Sequence, residues 1–305
     1  MPCMMVIMMY FVDMTTSSAH TVTHVIPADA PVTAVTSLGD DVFVVRNDKS
    51  TQSQGWLAGW FGSNSQQIEV YDAVTFTLQR RLSVPGLGHS FGLAACASNK
   101  CLYASDFNNG RVHRVELSGS NAVTKWFVGR TPAGLTVNSA KNVLVVIRDE
   151  RKIQQFTTHG TPLQTIQLQP DVECPLQVVE LSNGQFVISH TGIRHRVCLL
   201  DVNGAVVRSY GGTPGSNLTK MNWPVGLAVD EDENILVADA KNNRLLVLDR
   251  SLTSAREMSV SVDGGLDGPY SLWYDKSRGR LYIGESSRCR VIIIDRLKDF
   301  AASQV

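Results

Sequence analysis

The chain holds 305 residues, with 28 basic and 28 acidic side chains, 18% charged and 43% hydrophobic. That composition supports a sizeable core and excludes a disordered or collagen-like chain. Its zero formal charge argues against a strongly basic nucleic-acid binder, and no apolar run approaches the ~18 residues of a membrane helix.

Residues 1–19 read as an N-terminal tail. Met4 to Val12 is apolar, and Ser17 and Ala19 are small like a cleavage site, but the positively charged start of a signal peptide is missing. A cytoplasmic protein is therefore expected, with secretion as the alternative. Asn217-Leu218-Thr219 is a glycosylation sequon that decides little between them. Cys3, Cys96, Cys101, Cys174, Cys198 and Cys289 contain no CxxC pair, so no zinc ribbon or RING is encoded. Cys96 and Cys101 flank the turn Ala97 to Lys100. They read as two small hydrophobes, or as a disulfide if the compartment is oxidising.

From residue 20 onward one pattern recurs. Pro31 to Val35 leads to Val42–Val45 and then Ile68 to Asp72. Phe91-Gly92-Leu93-Ala94 leads to Leu102 to Asp106 and then Arg111 to Val115. Ala133 to Val137, Leu176 to Val179, Pro224 to Val229 and Tyr270 to Trp273 each open a further copy. Alternating aliphatic and β-branched residues predict antiparallel strands. Thr33, Gly92, Gly134, Gln177, Gly226 and Ser271 mark equivalent positions, at intervals in the forties after a longer first one. Such a period, with several short strands per copy, predicts propeller blades.

An outer strand follows most copies, at Leu78 to Val84, Val123 to Val128, Leu163 to Leu168, Ala205 to Tyr210 and Ala255 to Val260. The sixth copy lacks one, and Thr21 to Ile26 can supply it from the other end of the chain. The expected fold is all-β: a six-bladed propeller of four-stranded antiparallel blades over residues 20–297, closed by the N-terminal strand. Residues 47–67 are an insertion in the first copy, and 298–305 a C-terminal tail.

Two copies share a turn: Asp106, Asn109, Arg111 and again Asp239, Asn242, Arg244. The sixth keeps Glu285 and Arg290, while the third has Ile147 and Lys152 and the fourth His190 and Arg196. With Pro-x-Gly-Leu-Ala-Val at an inner strand, these turns resemble the NHL family of six-bladed propellers, as found at the end of TRIM-NHL-like proteins. The resemblance implies a recognition role for protein substrates or RNA. It implies no ubiquitin transfer, because the RING, B-box and coiled coil of the ligase members have no counterpart here. The repeated turn residues are expected to be structural: Asp and Asn satisfy turn amides, and Arg pairs with the acid.

One loop face collects Arg148, Arg151, Arg194 and Arg196 among other cations. The insertion on that face adds Trp56, Trp60 and Phe61. These aromatics either pack down locally or offer an anchor to a partner. Together these residues predict a non-catalytic scaffold that binds a protein or peptide partner, with single-stranded RNA as the alternative. A lactonase-like or amidating-lyase-like enzyme is the second alternative. It would need calcium or zinc ligands at the inner strand starts, where only His89 stands, and His190 with His195 makes at most a two-histidine pair. No catalytic residue, metal or cofactor is expected, and the protein is expected to be a monomer without a membrane partner.

Overall fold

The structure is a computed structural model, and it describes residues 20–46 and 67–295. Six four-stranded sheets stand around a central channel. The first blade is β3 (Val32–Leu38), β4 (Asp41–Arg46), β5 (Gln67–Asp72) and β6 (Leu78–Ser83). The second is β7 (Leu93–Cys96), β8 (Cys101–Asp106), β9 (Arg111–Glu116) and β10 (Val123–Phe127). The third is β11 (Pro132–Val137), β12 (Val143–Ile147), β13 (Lys152–Phe156) and β14 (Pro162–Gln167). The fourth is β15 (Pro175–Glu180), β16 (Phe186–Thr191), β17 (His195–Leu200) and β18 (Val206–Gly212). The fifth is β19 (Pro224–Val229), β20 (Ile235–Asp239), β21 (Arg244–Leu248) and β22 (Ala255–Met258).

The sixth blade joins the two ends of the ring. It consists of β24 (Pro269–Asp275), β25 (Arg280–Glu285), β26 (Arg290–Ile294) and, as its outer strand, β2 (His24–Pro27). Val25 lies opposite Ile292 and Ile26 opposite Val291, so closure from the N-terminus occurs as the repeat predicts. A second latch is not legible in the sequence. β1 (His20–Thr21) pairs in parallel with β23 (Val260–Ser261), which ties the same segment to the edge of the fifth blade.

The apolar core lies between blades rather than at the centre of the molecule. Leu236, Leu245 and Met258 of the fifth blade pack against Leu272, Leu281 and Ile292 of the sixth. Middle strands are covered on both faces, which is why β12 reads Val-Leu-Val-Val-Ile and is buried throughout. Outer strands have one solvated edge, and β6 and β14 each bury a single residue.

The inner strands approach one another closely. A Cβ on Gly92 would lie 2.7 Å from the Leu135 backbone nitrogen, and one on Gly226 would lie 2.5 Å from the Tyr270 carbonyl. Each of β3, β11, β15, β19 and β24 begins with a register shift. Thr131, Cys174 and Trp223, each preceding a proline, hold the left-handed backbone there, at φ 51, 45 and 68. Hydroxyls of the next strand take up displaced amides: Ser105 Oγ accepts from Gly92 N at 2.9 Å. The register also corrects one equivalence. Ala34, opposite Val45, matches Gln177 opposite Ser189 and Ser271 opposite Gly284, so Thr33 is one residue early.

Ile26 is 2% exposed and packs with Val291 and Ile293 across the closing seam. Ile26→Ala should cost about 2–5 kcal/mol, from lost burial plus a cavity at a site where few neighbours can collapse. Urea titration of the full chain would measure it, and a loss below about 1 kcal/mol would show that closure depends on other contacts.

Candidate functional site

The two faces of the ring differ. The face carrying the Asp-x-x-Asn-x-Arg turns is closed at its centre. Phe91, Leu176, Val225 and Tyr270, from four different blades, form an apolar plug there with Ala240 and Trp223. Phe91 stands 4.8 Å from Phe107 and 6.3 Å from Tyr270 between ring centroids.

Around the plug the turn acids are buried and occupied. Asp239 accepts from Asn222 N at 2.6 Å, Asn242 Nδ2 at 2.7 Å and Arg244 Nε at 2.8 Å. Arg244 also donates to the carbonyls of Ser216, Asn217 and Lys220, which fastens the long loop before β19. Glu285 accepts from Arg290 and from the Asp267 amide, and Arg290 reaches the carbonyls of Asp263 and Gly265. Asp106 departs from this scheme. Arg111 remains exposed, and the carboxylate takes Asn109 and, at 3.0 Å, His113 Nε2. His113 lies two residues further along the same strand, a substitution that the turn motif does not reveal.

The remaining cations divide. Arg196 is buried, donating to His190 Nε2 at 3.1 Å and to Asp171 at 2.7 Å. Arg148 is half-buried, Arg151 donates to the Pro170 carbonyl, and Arg194 is exposed. His190 is kept neutral by burial and by Arg196, its pKa lowered to about 4. His195 Nδ1 accepts from the Trp223 amide at 3.0 Å. The two histidines therefore serve separate partners. His89 is likewise lowered to about 4 by burial. Among the described residues, no group of three or more His, Cys, Asp or Glu is placed to hold a metal ion. Trp56, Trp60 and Phe61 lie outside the described residues. Cys96 and Cys101 face each other across their hairpin, both buried as free thiols.

The opposite face opens into a cavity of about 740 Å³ whose floor is the plug. Its wall is inner-strand backbone with small or flat side chains, including Gly92, Ala94, Thr136, Gly226, Ala228 and Trp273. Its rim is polar, and its acids join neighbouring blades. Glu180 accepts from Ser139 N and Oγ at 3.1 and 2.9 Å. Glu233 accepts from Ser182 N at 2.7 Å and pairs with Arg250. Ser37 Oγ donates to Asp275 at 2.8 Å and accepts from Trp273 Nε1 at 2.9 Å, clamping the sixth blade to the first. Lys141 and Lys276 stand beside these acids on the rim. The reading of the loops pointed to the other face. The signal for this one was the row of small inner-strand residues, together with Trp273 in a strand that otherwise packs tightly.

An NHL repeat model matches residues 221–248, the segment that carries β19, β20 and the Asp239 turn. The chain is a six-bladed propeller that carries an NHL repeat in its fifth blade. The match does not extend to the TRIM-NHL proteins in particular. No curated protein sequence matches the propeller. Solved structures share its fold. A streptogramin B lyase superposes with a TM-score of 0.59 at 15% identity, covering 88% of this chain and 94% of that one. The virginiamycin B lyase of Staphylococcus aureus gives 0.60 at 10% identity, covering 90% and 99%. The WD40 propeller domain of Doa1 gives 0.59 at 11% identity, covering 92% and 98%. The expectation of a non-enzyme is overturned here. It rested on the closed scaffold and the missing motif, yet two lyases align with nearly the whole ring. Such a ring builds its sites from residues of several blades, which a linear motif search does not detect. Among the described residues, no helix is long and apolar enough to cross a membrane.

Burial alone would raise the Asp106 carboxyl, but hydrogen bonds from His113, Asn109 and Gly88 hold it below its ordinary value. A depressed folded value gives stability that is complete above the unfolded pKa of about 3.9 and is lost as pH falls through the folded one. Asp106→Asn should destabilise the ring by about 1–3 kcal/mol at pH 7. It should also flatten the decline in melting temperature between about pH 5 and pH 3. Parallel pH profiles with an unchanged difference would remove Asp106 from the acid response.

Proposed function

We propose that the propeller binds a compact amphipathic molecule in the central cavity, apolar end inward. The cavity itself carries this reading. Its volume of about 740 Å³ lies within the ~300–1,000 Å³ typical of small-molecule sites. Its floor is aromatic and aliphatic, its wall rigid backbone, and its rim offers Lys141 and Lys276 as well as carboxylates. An apolar head gains burial against Phe91, Leu176, Val225 and Tyr270, while a polar end stays at the hydrated rim. The inter-blade bonds of Glu180, Glu233 and Asp275 hold that rim in place before a ligand arrives, which reduces the ordering cost of binding.

The fluorescent probe anilinonaphthalene sulfonate, with a fused aromatic body and one anionic group, tests the cavity directly. It should bind the folded chain saturably at one site. Thr136→Trp, which fills the wall, should weaken that binding at least about tenfold, or about 1.4 kcal/mol, with little change in melting temperature. Undiminished probe binding in this variant would place the ligand elsewhere.

A second reading, recognition of a protein or peptide, is supported by the turn face. Ile193 is 79% exposed beside Arg194 at the tip of the fourth blade, and Lys241 lies 4.6 Å over the Trp223 ring. An exposed aliphatic residue flanked by cations suits a peptide with an apolar anchor and acidic neighbours. Arg148 and Arg151 extend the same surface. Ile193→Asp with Arg194→Glu should abolish capture of such a partner in a pull-down while Thr136→Trp leaves it intact. The reverse pattern would move peptide recognition into the cavity.

A further inference from the structure

Each blade of a propeller ends in an outer strand whose free backbone groups could pair with another chain. Five of the six edges here carry an obstacle. β6 presents Arg80 and Arg81, β10 presents Lys125, and β18 presents Arg208. β22 presents Arg256 and Glu257, and beyond it β23 is already paired by β1. β2 is four residues long and ends in Pro27. Two like copies meeting antiparallel across a two-fold axis would bring equal charges together on most of these edges.

β14 presents no charge, and its one proline, Pro162, stands at its start, outside the part that would pair. It reads Pro-Leu-Gln-Thr-Ile-Gln, with every residue exposed except Ile166. From Ile153 to Pro170 the sequence contains no Asp, Glu, Lys or Arg, so the neighbouring strand β13 brings no charge near the edge after Lys152. Leu163 is half exposed at the start of the strand. The ladder also fixes which groups are free. Leu168 N donates inward to the Arg151 carbonyl, and Ile166 lies opposite Ile153. By alternation, Thr165 and Gln167 turn both backbone groups outward.

We infer that two copies of the chain associate through this edge, as a two-fold dimer in which the third blades form one continuous antiparallel sheet. Centred on Ile166, the pairing sets Thr165 of one copy opposite Gln167 of the other, and each pair exchanges both backbone hydrogen bonds. The occupant is a second copy because the edge complements itself: its side chains are uncharged amides, hydroxyls and aliphatics, which tolerate meeting their own kind. A strongly charged foreign strand would find no partner charges there. This association replaces the monomer expected from the sequence, and it does not depend on what the cavity binds.

Two double variants test it. Thr165→Lys with Gln167→Lys, and Thr165→Glu with Gln167→Glu, place like charges opposite each other in the register centred on Ile166. Neither set of changes touches a buried side chain or an inward-bonded backbone amide; each removes the bonds of the Gln167 side chain to the Glu150 and Arg151 carbonyls, at the exposed edge. By sedimentation equilibrium at micromolar concentration the full chain should show the two-chain mass. Each double variant should show the one-chain mass, with unchanged circular dichroism. An equal mixture of the Lys and Glu variants should restore the two-chain species. Three results would each overturn the inference: a one-chain mass for the unmodified protein, larger open assemblies in place of the dimer, or a dimer that survives in the Lys variant.

Discussion

A β-sheet that is apolar on both faces must be covered on both, and closing six such sheets into a ring does this without adding any helix or second layer. Every other feature of the molecule depends on that requirement. The middle strands become continuous aliphatic runs because they contact a neighbour on each side. The inner strands need glycine where neighbouring backbones approach most closely, as at Gly92 and Gly226, because six strands converge at the axis. The ends of the chain must meet, since an unclosed ring would leave one apolar face in water. The strand β2 and the parallel latch of β1 on β23 meet that need from one short segment.

The same convergence makes the two faces unequal. On the turn side the first residues of the inner strands are large, and Phe91, Leu176, Val225 and Tyr270 meet over the axis. On the other side the strands end in small or polar residues and the channel widens into a cavity. Charged groups serve the ring differently on each side. At the turns, Asp239 with Arg244 and Glu285 with Arg290 are buried beneath loops and fasten them. At the rim, Glu180, Glu233 and Asp275 reach from one blade to the next and hold the opening in shape. Few of the residues that look chemically conspicuous in the sequence line the cavity, because most bond backbone amides and carbonyls that the turns would otherwise leave bare.

Repetition carried most of what could be read in advance. Residues with the same role recur in each copy, so blade number, strand order and the closing strand were all legible, and the NHL resemblance agreed with the repeat match at residues 221–248. The errors fell where one copy departs from the others. His113 replaces the expected arginine on Asp106 because a side chain two residues along a strand returns to the same side. The inner-strand bulge displaced Thr33 by one position, since a register shift leaves no mark in composition. The non-enzyme expectation failed for a related reason: it treated the absence of a linear motif as information about a fold whose sites are assembled across blades.

By itself the sequence determined the secondary structure, the count of blades and the means of closure, because strand periodicity and turn chemistry are local and each copy repeats them. Only the tertiary structure decided which face is open. That outcome depends on whether residues more than a hundred positions apart, such as Phe91 and Tyr270, meet across the axis, and the spacing within a single copy contains nothing about it.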